Sequence, residues 1–202
     1  EIDFHGTFKY NAFVVGVNPL GTTMYIAGVG DILQRDNIYF SEYKNGNWSN
    51  PRKLIIRNFS NNSDFIHYAI NTNENVMILA MEDSHSMGQM DLYVSFKQSD
   101  GSWSTPLNLG NDINTASMES AAFIASDNKT MYFSSNGFPG FGGLDLFVSR
   151  RLDDTWTHWS KPVNLGSAIN TFHDDYNFSI SAKADFLYLS RSSGTNENSD
   201  IF

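Results

Sequence analysis

One short pattern recurs along this chain at nearly constant spacing, and the regularity restricts the fold more than any single residue does. Each copy begins with Asn or Asp, followed by an aliphatic and an aromatic residue, at Asn37, Asp91, Asp145 and Asp200. Successive copies are separated by 54, 54 and 55 residues. A period of this size marks one supersecondary unit used several times, since such a unit cannot bury its apolar faces alone.

Two further segments recur in the same register. A Pro-x-Asn-Leu-Gly stretch occupies residues 106–110 and again 162–166, and Ile-Asn-Thr occupies residues 113–115 and again 169–171. The chain therefore reads as a single domain, 1–202, in units of about 37–90, 91–144 and 145–199, with partial units at 1–36 and 200–202. The unit at 37–90 is degenerate, because it lacks both of these segments.

The apolar runs within a unit have the length and punctuation of β-strands. They are short, rich in aromatic and β-branched residues, and bounded by Gly, Asn, Asp, Ser or Pro. In the third blade the predicted strands are roughly 119–125, 130–134, 145–151 and 158–165. No long segment shows an apolar helical period with caps. The chain is predicted to be all-β.

Four strands per unit favour a β-propeller of four-stranded antiparallel sheets packed around an axis. That arrangement buries both faces of each sheet and exposes only short edges. The chain covers about four such blades. Either residues 1–7 supply a missing edge strand and close a small ring, or the chain forms part of a larger propeller. We expect the second, because the last copy of the pattern is incomplete.

The repeated residues resemble a known family. The order Gly-Gly-x-Asp-Leu-Phe-Val-Ser at 142–149, then Trp-Ser-x-Pro-x-Asn-Leu-Gly at 159–166 and Ile-Asn-Thr at 169–171, is similar to the WD40-like repeat of TolB-type propellers. The version in envelope proteins of gram-negative bacteria, which often carry an OmpA-like peptidoglycan-binding domain, is especially similar. The resemblance implies a periplasmic or outer-membrane location and envelope protein partners. Peptidoglycan would bind only through a domain that is not in this chain.

Composition excludes several classes of function. The formal net charge of −9 and the lack of a basic cluster argue against nucleic-acid binding. The absence of cysteine rules out disulfides and thiolate metal sites. No apolar run is long enough to span a membrane, so membrane insertion is not expected.

Acidic residues near the start of each inner strand are the first candidates for a binding site, namely Asp64, Glu119, Asp174 and Asp175. Propeller symmetry would place them around one mouth of the central channel. There they could meet a basic partner or hold Ca²⁺ or Mg²⁺, although no cofactor is expected. The alternative is that they cap turns by accepting backbone N–H groups. His173 is the most suggestive histidine because it precedes the acidic pair.

Two phenylalanines in a Gly-rich loop, Phe138 and Phe141, are candidates for a contact surface because they do not recur in the other units. The recurring Trp48, Trp103 and Trp159 are expected to pack between blades instead.

We therefore predict a non-enzymatic interaction platform of the cell envelope that mediates protein–protein contacts. The reason is that every recurring residue has a structural explanation, and no catalytic constellation stands apart from the repeat. The alternative from another class is a glycan-binding or glycan-active, glycosidase-like propeller. Against an enzyme, Asp174 and Asp175 are adjacent, so on a strand their side chains point to opposite faces.

Overall fold

The computed structural model describes residues 13–18, 20–27, 38–180, 185–192 and 199–202. In these residues the regular secondary structure is β-strand only, so the all-β prediction is confirmed. The strands are β1 (Phe13–Val17), β2 (Thr23–Ala27), β3 (Tyr39–Lys44), β4 (Asn47–Trp48), β5 (Arg52–Lys53), β6 (His67–Ile70), β7 (Val76–Met81), β8 (Asp91–Phe96), β9 (Leu107–Asn108), β10 (Glu119–Ile124), β11 (Thr130–Ser135), β12 (Asp145–Arg150), β13 (Val163–Asn164), β14 (Asp175–Ile180), β15 (Leu187–Ser192) and β16 (Ser199–Ile201).

The strands form four antiparallel sheets. The first sheet has the order β1-β2-β3-β4, with β5 also pairing with β3. The second sheet is β6-β7-β8-β9, the third is β10-β11-β12-β13, and the fourth is β14-β15-β16. Each sheet is therefore a simple meander in chain order, as expected when consecutive strands are joined by short turns.

The four sheets are arranged side by side as blades of a β-propeller. The first strands of neighbouring sheets contact each other in turn, β1 with β6, β6 with β10 and β10 with β14. These four strands are the innermost ones. The predicted propeller is confirmed, and the described part of the chain contains no helix long and apolar enough to cross a bilayer.

Apolar side chains between facing sheets form the core. The second and third sheets enclose the largest cluster, in which Ile78, Leu92 and Phe133 are 0% exposed. A second cluster joins Tyr25 of the first sheet to Met77 and Leu79 of the second. Another cluster joins the third sheet to Phe178 and Leu189 of the fourth sheet. Burial on both faces explains why strands such as β7 are continuously apolar.

The recurring Ile-Asn-Thr segment has a structural role that accounts for its repetition. Asn114 donates to the Leu92 carbonyl oxygen at 2.9 Å and accepts from the Leu92 amide at 2.8 Å, as a neighbouring strand would. Asn170 makes the same two contacts with Leu146, at 2.9 and 2.8 Å. Each asparagine therefore extends the outer edge of its sheet where β9 and β13 are only two residues long.

The inner strands are interrupted by β-bulges. The register of β10 shifts between Ser120 and Phe123, and that of β14 shifts between Tyr176 and Ser179. Ala121 and Asn177 lie within these bulges with φ of 45° and 55°. The left-handed region is costly for alanine, whereas asparagine tolerates it better.

The predicted strands of the third blade agree with β10, β11 and β12 to within a residue at each end. The fourth is shorter than predicted: of residues 158–165, only Val163–Asn164 is a strand, and Trp159 adds an isolated bridge to Arg151. The meander also shows that a unit counted from Asp91 contributes β8 and β9 to one sheet and β10 and β11 to the next.

Candidate functional site

The acidic residue that opens β10 closes a turn instead of facing a channel. Glu119 is 0% exposed, and its carboxylate accepts from the Thr115 amide and hydroxyl at 2.8 Å each and from the Ser135 hydroxyl at 2.7 Å. Burial raises the pKa of this carboxyl, and these hydrogen bonds oppose the rise. This is the turn-capping alternative, so Glu119 is not placed to meet a partner.

Asp175 occupies the same place at the start of β14 and is also buried. Its Oδ2 accepts from the Thr171 amide at 2.6 Å, and its Oδ1 accepts from Arg191 Nε at 2.6 Å. Arg191 also donates to the Ile169 carbonyl oxygen at 2.8 Å. The carboxylate therefore ties the turn to β15, and the guanidinium compensates its charge.

Asp64 is not the counterpart of these two residues. Glu119 pairs with Ser135 in the third sheet, and Met81 holds the position of Ser135 in the second sheet. Since His67 pairs with Ala80, the residue opposite Met81 is Ile66, which therefore takes the position of Glu119. Asp64 lies on the exposed segment before β6. The assignment by spacing was wrong because this unit lacks the Ile-Asn-Thr turn that sets the register in the others.

The aspartates that open the third strands hold the loops before them. Asp91 Oδ2 accepts from the Met87 amide at 2.9 Å, and Asp145 Oδ2 accepts from the Phe141 amide at 2.6 Å. Burial raises the pKa of Asp91. Asn37, the first member of this series, lies outside the described residues.

Among the described residues, no three His, Cys, Asp or Glu side chains come together in a way that could hold a metal ion. Glu119 and Asp175 are each held by hydrogen bonds within their own sheet and the turn before it. A Ca²⁺ or Mg²⁺ ion in the channel stays a prediction from the sequence.

The two loop phenylalanines have different environments. Phe138 is partly buried against the core, with its ring centroid 5.4 Å from that of Phe147 and 6.3 Å from that of Phe133. It therefore serves the scaffold. Phe141 is 52% exposed and is available for contact. Trp103 and Trp159 are buried, as expected for packing residues.

The residue after Phe141 contacts the backbone of a second exposed phenylalanine. A Cβ on the next residue, Gly142, would lie 2.4 Å from the carbonyl carbon of Phe172, so the two backbones touch there. Phe172 is 76% exposed, and its ring centroid is 4.0 Å from that of His173. The loop before β12 thus meets the turn before β14 with two phenyl rings at the surface.

A carboxyl group belongs to the same junction. Asp174 Oδ1 accepts from the Leu144 amide at 2.8 Å, and it lies so close to Gly143 that a Cβ there would be 2.0 Å from it. Asp174 is half-buried, whereas its neighbour Asp175 is buried with other partners. We call Phe141, Phe172, His173 and Asp174 the aromatic rim.

The preceding junction has the same backbone but different side chains. A Cβ on Gly88 would lie 2.3 Å from the Ser117 carbonyl oxygen, so the loop before β8 meets the turn before β10 in the same way. The repeat places Met87, Ala116, Ser117 and Met118 where the aromatic rim has its four residues. The scaffold is therefore repeated at these two junctions, and the side chains on the rim differ between them.

Sequence reasoning found Phe141, His173 and Asp174 but missed Phe172. The available signal was a difference between two copies of the repeat. Directly after the recurring Ile-Asn-Thr segment, one copy has Ala116 and the next has Phe172. The proximity of Phe172 to Phe141 depends on the packing of the fourth sheet against the third.

No family model and no curated protein matches the chain. Solved propeller structures do. An α-L-arabinanase from Penicillium chrysogenum, bound to arabinobiose, is similar over 95% of this chain and 65% of its own, with a TM-score of 0.50 and 10% identity. An α-L-arabinofuranosidase from Lactobacillus brevis is similar over 90% and 68%, with a TM-score of 0.46 and 12% identity.

A provisionally named 6-phosphogluconolactonase from Bacteroides uniformis is similar over 95% of this chain and 54% of its own, with a TM-score of 0.47 and 12% identity. The chain thus spans about half to two thirds of the length of these proteins. At such low identity the arabinanase shows the fold alone, and the other two fall below the similarity from which a shared fold is inferred.

The comparisons correct the prediction that the chain is not an enzyme. That prediction rested on the structural explanation available for every recurring residue and on the lack of a catalytic constellation apart from the repeat. The solved structure that shares this fold is that of an enzyme, an α-L-arabinanase. The fold therefore gives no ground for excluding catalysis, and function must be argued from the site.

Proposed function

We propose that this chain is a glycan-active propeller that binds a neutral glycan at the aromatic rim. The observation that carries this proposal is the departure of one blade junction from its own repeat. Where the same backbone has methionine, alanine and serine at one junction, it has two exposed phenyl rings, an imidazole and a carboxylate at the next. A difference on an otherwise repeated scaffold is expected where binding is located.

The exposed rings suit a sugar. Phe141 and Phe172 are 52% and 76% exposed, yet their backbones are held by close contact at Gly142. A rigidly held aromatic ring offers a large apolar face at little cost in conformational entropy. The C–H face of a pyranose or furanose ring can stack on it, while the polar groups beside the rings receive the hydroxyl groups.

A carboxyl group of this junction supplies the polar part. Asp174 lies on the rim, and its described hydrogen bond uses Oδ1. Asp145 is 1% exposed and its Oδ2 accepts from the Phe141 amide at 2.6 Å, so it holds the loop that carries Phe141. We assign Asp174 to contact with the glycan and, in hydrolysis, to the role of general acid or base.

Charge favours a neutral ligand. The chain has a formal net charge of −9, and the rim itself has a carboxylate. Arg191, on the adjacent strand β15, is already paired with Asp175 and the Ile169 carbonyl. A uronate or a sulfated sugar would therefore be repelled by the rim without meeting an available guanidinium.

The binding test uses calorimetry with neutral oligosaccharides, beginning with arabino-oligosaccharides because an arabinanase has this fold. Polygalacturonate is the acidic comparison. Phe141→Ala and Phe172→Ala are each expected to weaken binding by at least about fivefold, the loss of about 1 kcal/mol typical of a contact residue. Met87→Ala is the matched control, because Met87 holds the position of Phe141 at the preceding junction and is 45% exposed.

The activity test measures release of reducing ends from the glycan that binds. Asp174→Asn keeps the Oδ1 acceptor for Leu144, so the turn should survive. The rate is expected to fall by at least about 100-fold, the usual contribution of a general acid or base. Binding without release would restrict the function to glycan recognition. Equal binding by Phe172→Ala and the Met87→Ala control would overturn the proposal.

A periplasmic or outer-membrane location, envelope protein partners and membership of the WD40-like family stay predictions from the resemblance of the repeat. They are compatible with a glycan-active propeller, since the bacterial envelope is rich in glycans. Fractionation of cells that express the protein would test the location.

A further inference from the structure

The fourth sheet has one face that is exposed where the equivalent faces are buried. The residue after the strand-opening Asn or Asp is Ile38 in the first sheet, Leu92 in the second and Leu146 in the third, and these are 2%, 0% and 0% exposed. The equivalent residue of the fourth sheet, Ile201, is 78% exposed. The same apolar position of the repeat is therefore buried in the first three sheets and exposed in the fourth.

The neighbouring strand repeats this contrast. Tyr25 and Ile78 are 5% and 0% exposed, whereas Tyr188 at the same position of β15 is 49% exposed. Ser190 pairs with Ile201, and Tyr188 lies two residues before Ser190, so Tyr188 and Ile201 share one face of the sheet. The exposure therefore belongs to a face of the sheet and not to a single side chain.

The three covered faces show what covers them. Met77 and Leu79 of the second sheet pack on the face of the first that holds Tyr25 and Ile38. In the same way, Met131 and Phe133 of the third sheet pack on the face that holds Ile78 and Leu92. The cover is each time the next four-stranded sheet, through two apolar residues of its second strand.

The fourth sheet packs on the third in the same way as the third packs on the second. Its Leu189 packs on the face of the third sheet that holds Leu146, where the ring of Tyr132 stacks on Phe178 with centroids 4.3 Å apart and 17° between the planes. The sheet therefore uses one face as the second and third sheets do. Its other face has the same residue types as theirs, and none of the described sheets covers it in this way.

The first sheet cannot be that cover. The residues that it would use, Met24 and Ile26, are only 2% and 1% exposed, so they are already buried. Among the described strands, none of the fourth sheet contacts one of the first. The same burial excludes the first sheet of a second copy of this chain.

We infer that the face of the fourth sheet containing Tyr188 and Ile201 binds one further four-stranded sheet of the same repeat, which presents two apolar residues at the positions of Met131 and Phe133. The ring then has more blades than the four described. This interface is independent of the glycan proposal, because the aromatic rim lies at the junction of the third and fourth sheets.

The test follows the accessibility of position 188 to a thiol reagent, which is possible because the chain has no cysteine. Tyr188→Cys is made in the 202-residue chain and in a chain extended after Phe202 by a second copy of residues 148–202. Phe202 is equivalent to Phe147, so the copy continues in register. Labelling should be fast in the first chain and at least about tenfold slower in the second, where the added sheet covers position 188.

Three controls make the result decisive. Ile78→Cys should react slowly in both chains, and Val163→Cys, at a position 61% exposed on an outer strand, should react fast in both. In the extended chain, replacing the copies of Leu187 and Leu189 by serine should restore fast labelling of the thiol at position 188. Equal labelling of Tyr188→Cys in a folded extended chain would refute the inference, as would protection in the 202-residue chain that rises with its concentration.

Discussion

Replacing Asn114 by alanine is expected to lower the free energy of unfolding by about 3 kcal/mol. The side chain is 1% exposed and makes three hydrogen bonds: with the Leu92 amide at 2.8 Å, the Leu92 carbonyl oxygen at 2.9 Å and Asn108 Oδ1 at 2.8 Å. The recurrence of this residue as Asn170 makes the contact a test of why the repeat exists.

The size of this loss depends on whether each hydrogen-bond partner of Asn114 finds another partner once the side chain is removed. The Leu92 carbonyl oxygen keeps the Leu109 amide at 3.0 Å, and Asn108 Oδ1 keeps the Gly110 amide at 2.8 Å. The Leu92 amide points to the same side as its carbonyl and away from β7, so it is left unpaired. A buried unpaired donor costs about 1–3 kcal/mol, and the two other lost bonds add about 0.5–1.5 kcal/mol each.

Urea denaturation of the purified chain measures the loss, and hydrogen exchange at the Leu92 amide locates it. Asn111→Ala is the matched control because Asn111 is exposed in the same turn, and a change of less than about 0.5 kcal/mol is expected there. Asn170→Ala should behave like Asn114→Ala, since its contacts with Leu146 are the same. A loss below about 1 kcal/mol for Asn114→Ala, or one equal to that of the control, would refute this account of the repeat.

Two further predictions concern the inner strands. Burial raises the pKa of Glu119 above its ordinary 4.5, so its protonated form is favoured in the folded state, and the stability it contributes at low pH is lost as the pH rises through the folded-state pKa. Urea unfolding of Glu119→Gln, compared with the parent at about pH 4 and about pH 7, should therefore show the variant gaining stability relative to the parent at the higher pH; a constant difference would contradict this. Ala121 has a φ of 45° and Ala80 lies in the regular strand β7, so Ala121→Gly should cost at least about 1 kcal/mol less than Ala80→Gly in thermal or urea unfolding, and equal losses would contradict the assigned strain.

Much of the fold could be predicted from the sequence because each unit repeats the same local contacts. The positions of β10, β11 and β12 follow from apolar runs and turn residues, and Asp91 and Asp145 hold their loops in the way that their recurrence indicates. The equivalence of acidic residues predicted from spacing was wrong in the degenerate unit. Without the Ile-Asn-Thr turn, spacing selected Asp64, whereas strand pairing selects Ile66.

The candidate site was less predictable. Phe138 and Phe141 are three residues apart in one loop, yet the first packs against Phe133 and Phe147 and the second is exposed. Sequence gives both rings the same hydrophobicity and the same Gly-rich surroundings. The direction of each ring depends on the loop conformation, which contacts with the third and fourth sheets determine.

By itself the sequence determined that the chain is all-β, that it is built from one repeated sheet, and which residues share a face. These are local or periodic properties, since alternation along a strand and spacing between units act through neighbouring residues. Only the tertiary structure decided which faces are covered. Leu146 and Ile201 hold the same position of the repeat, but they are 0% and 78% exposed, because burial depends on whether another sheet lies against that face.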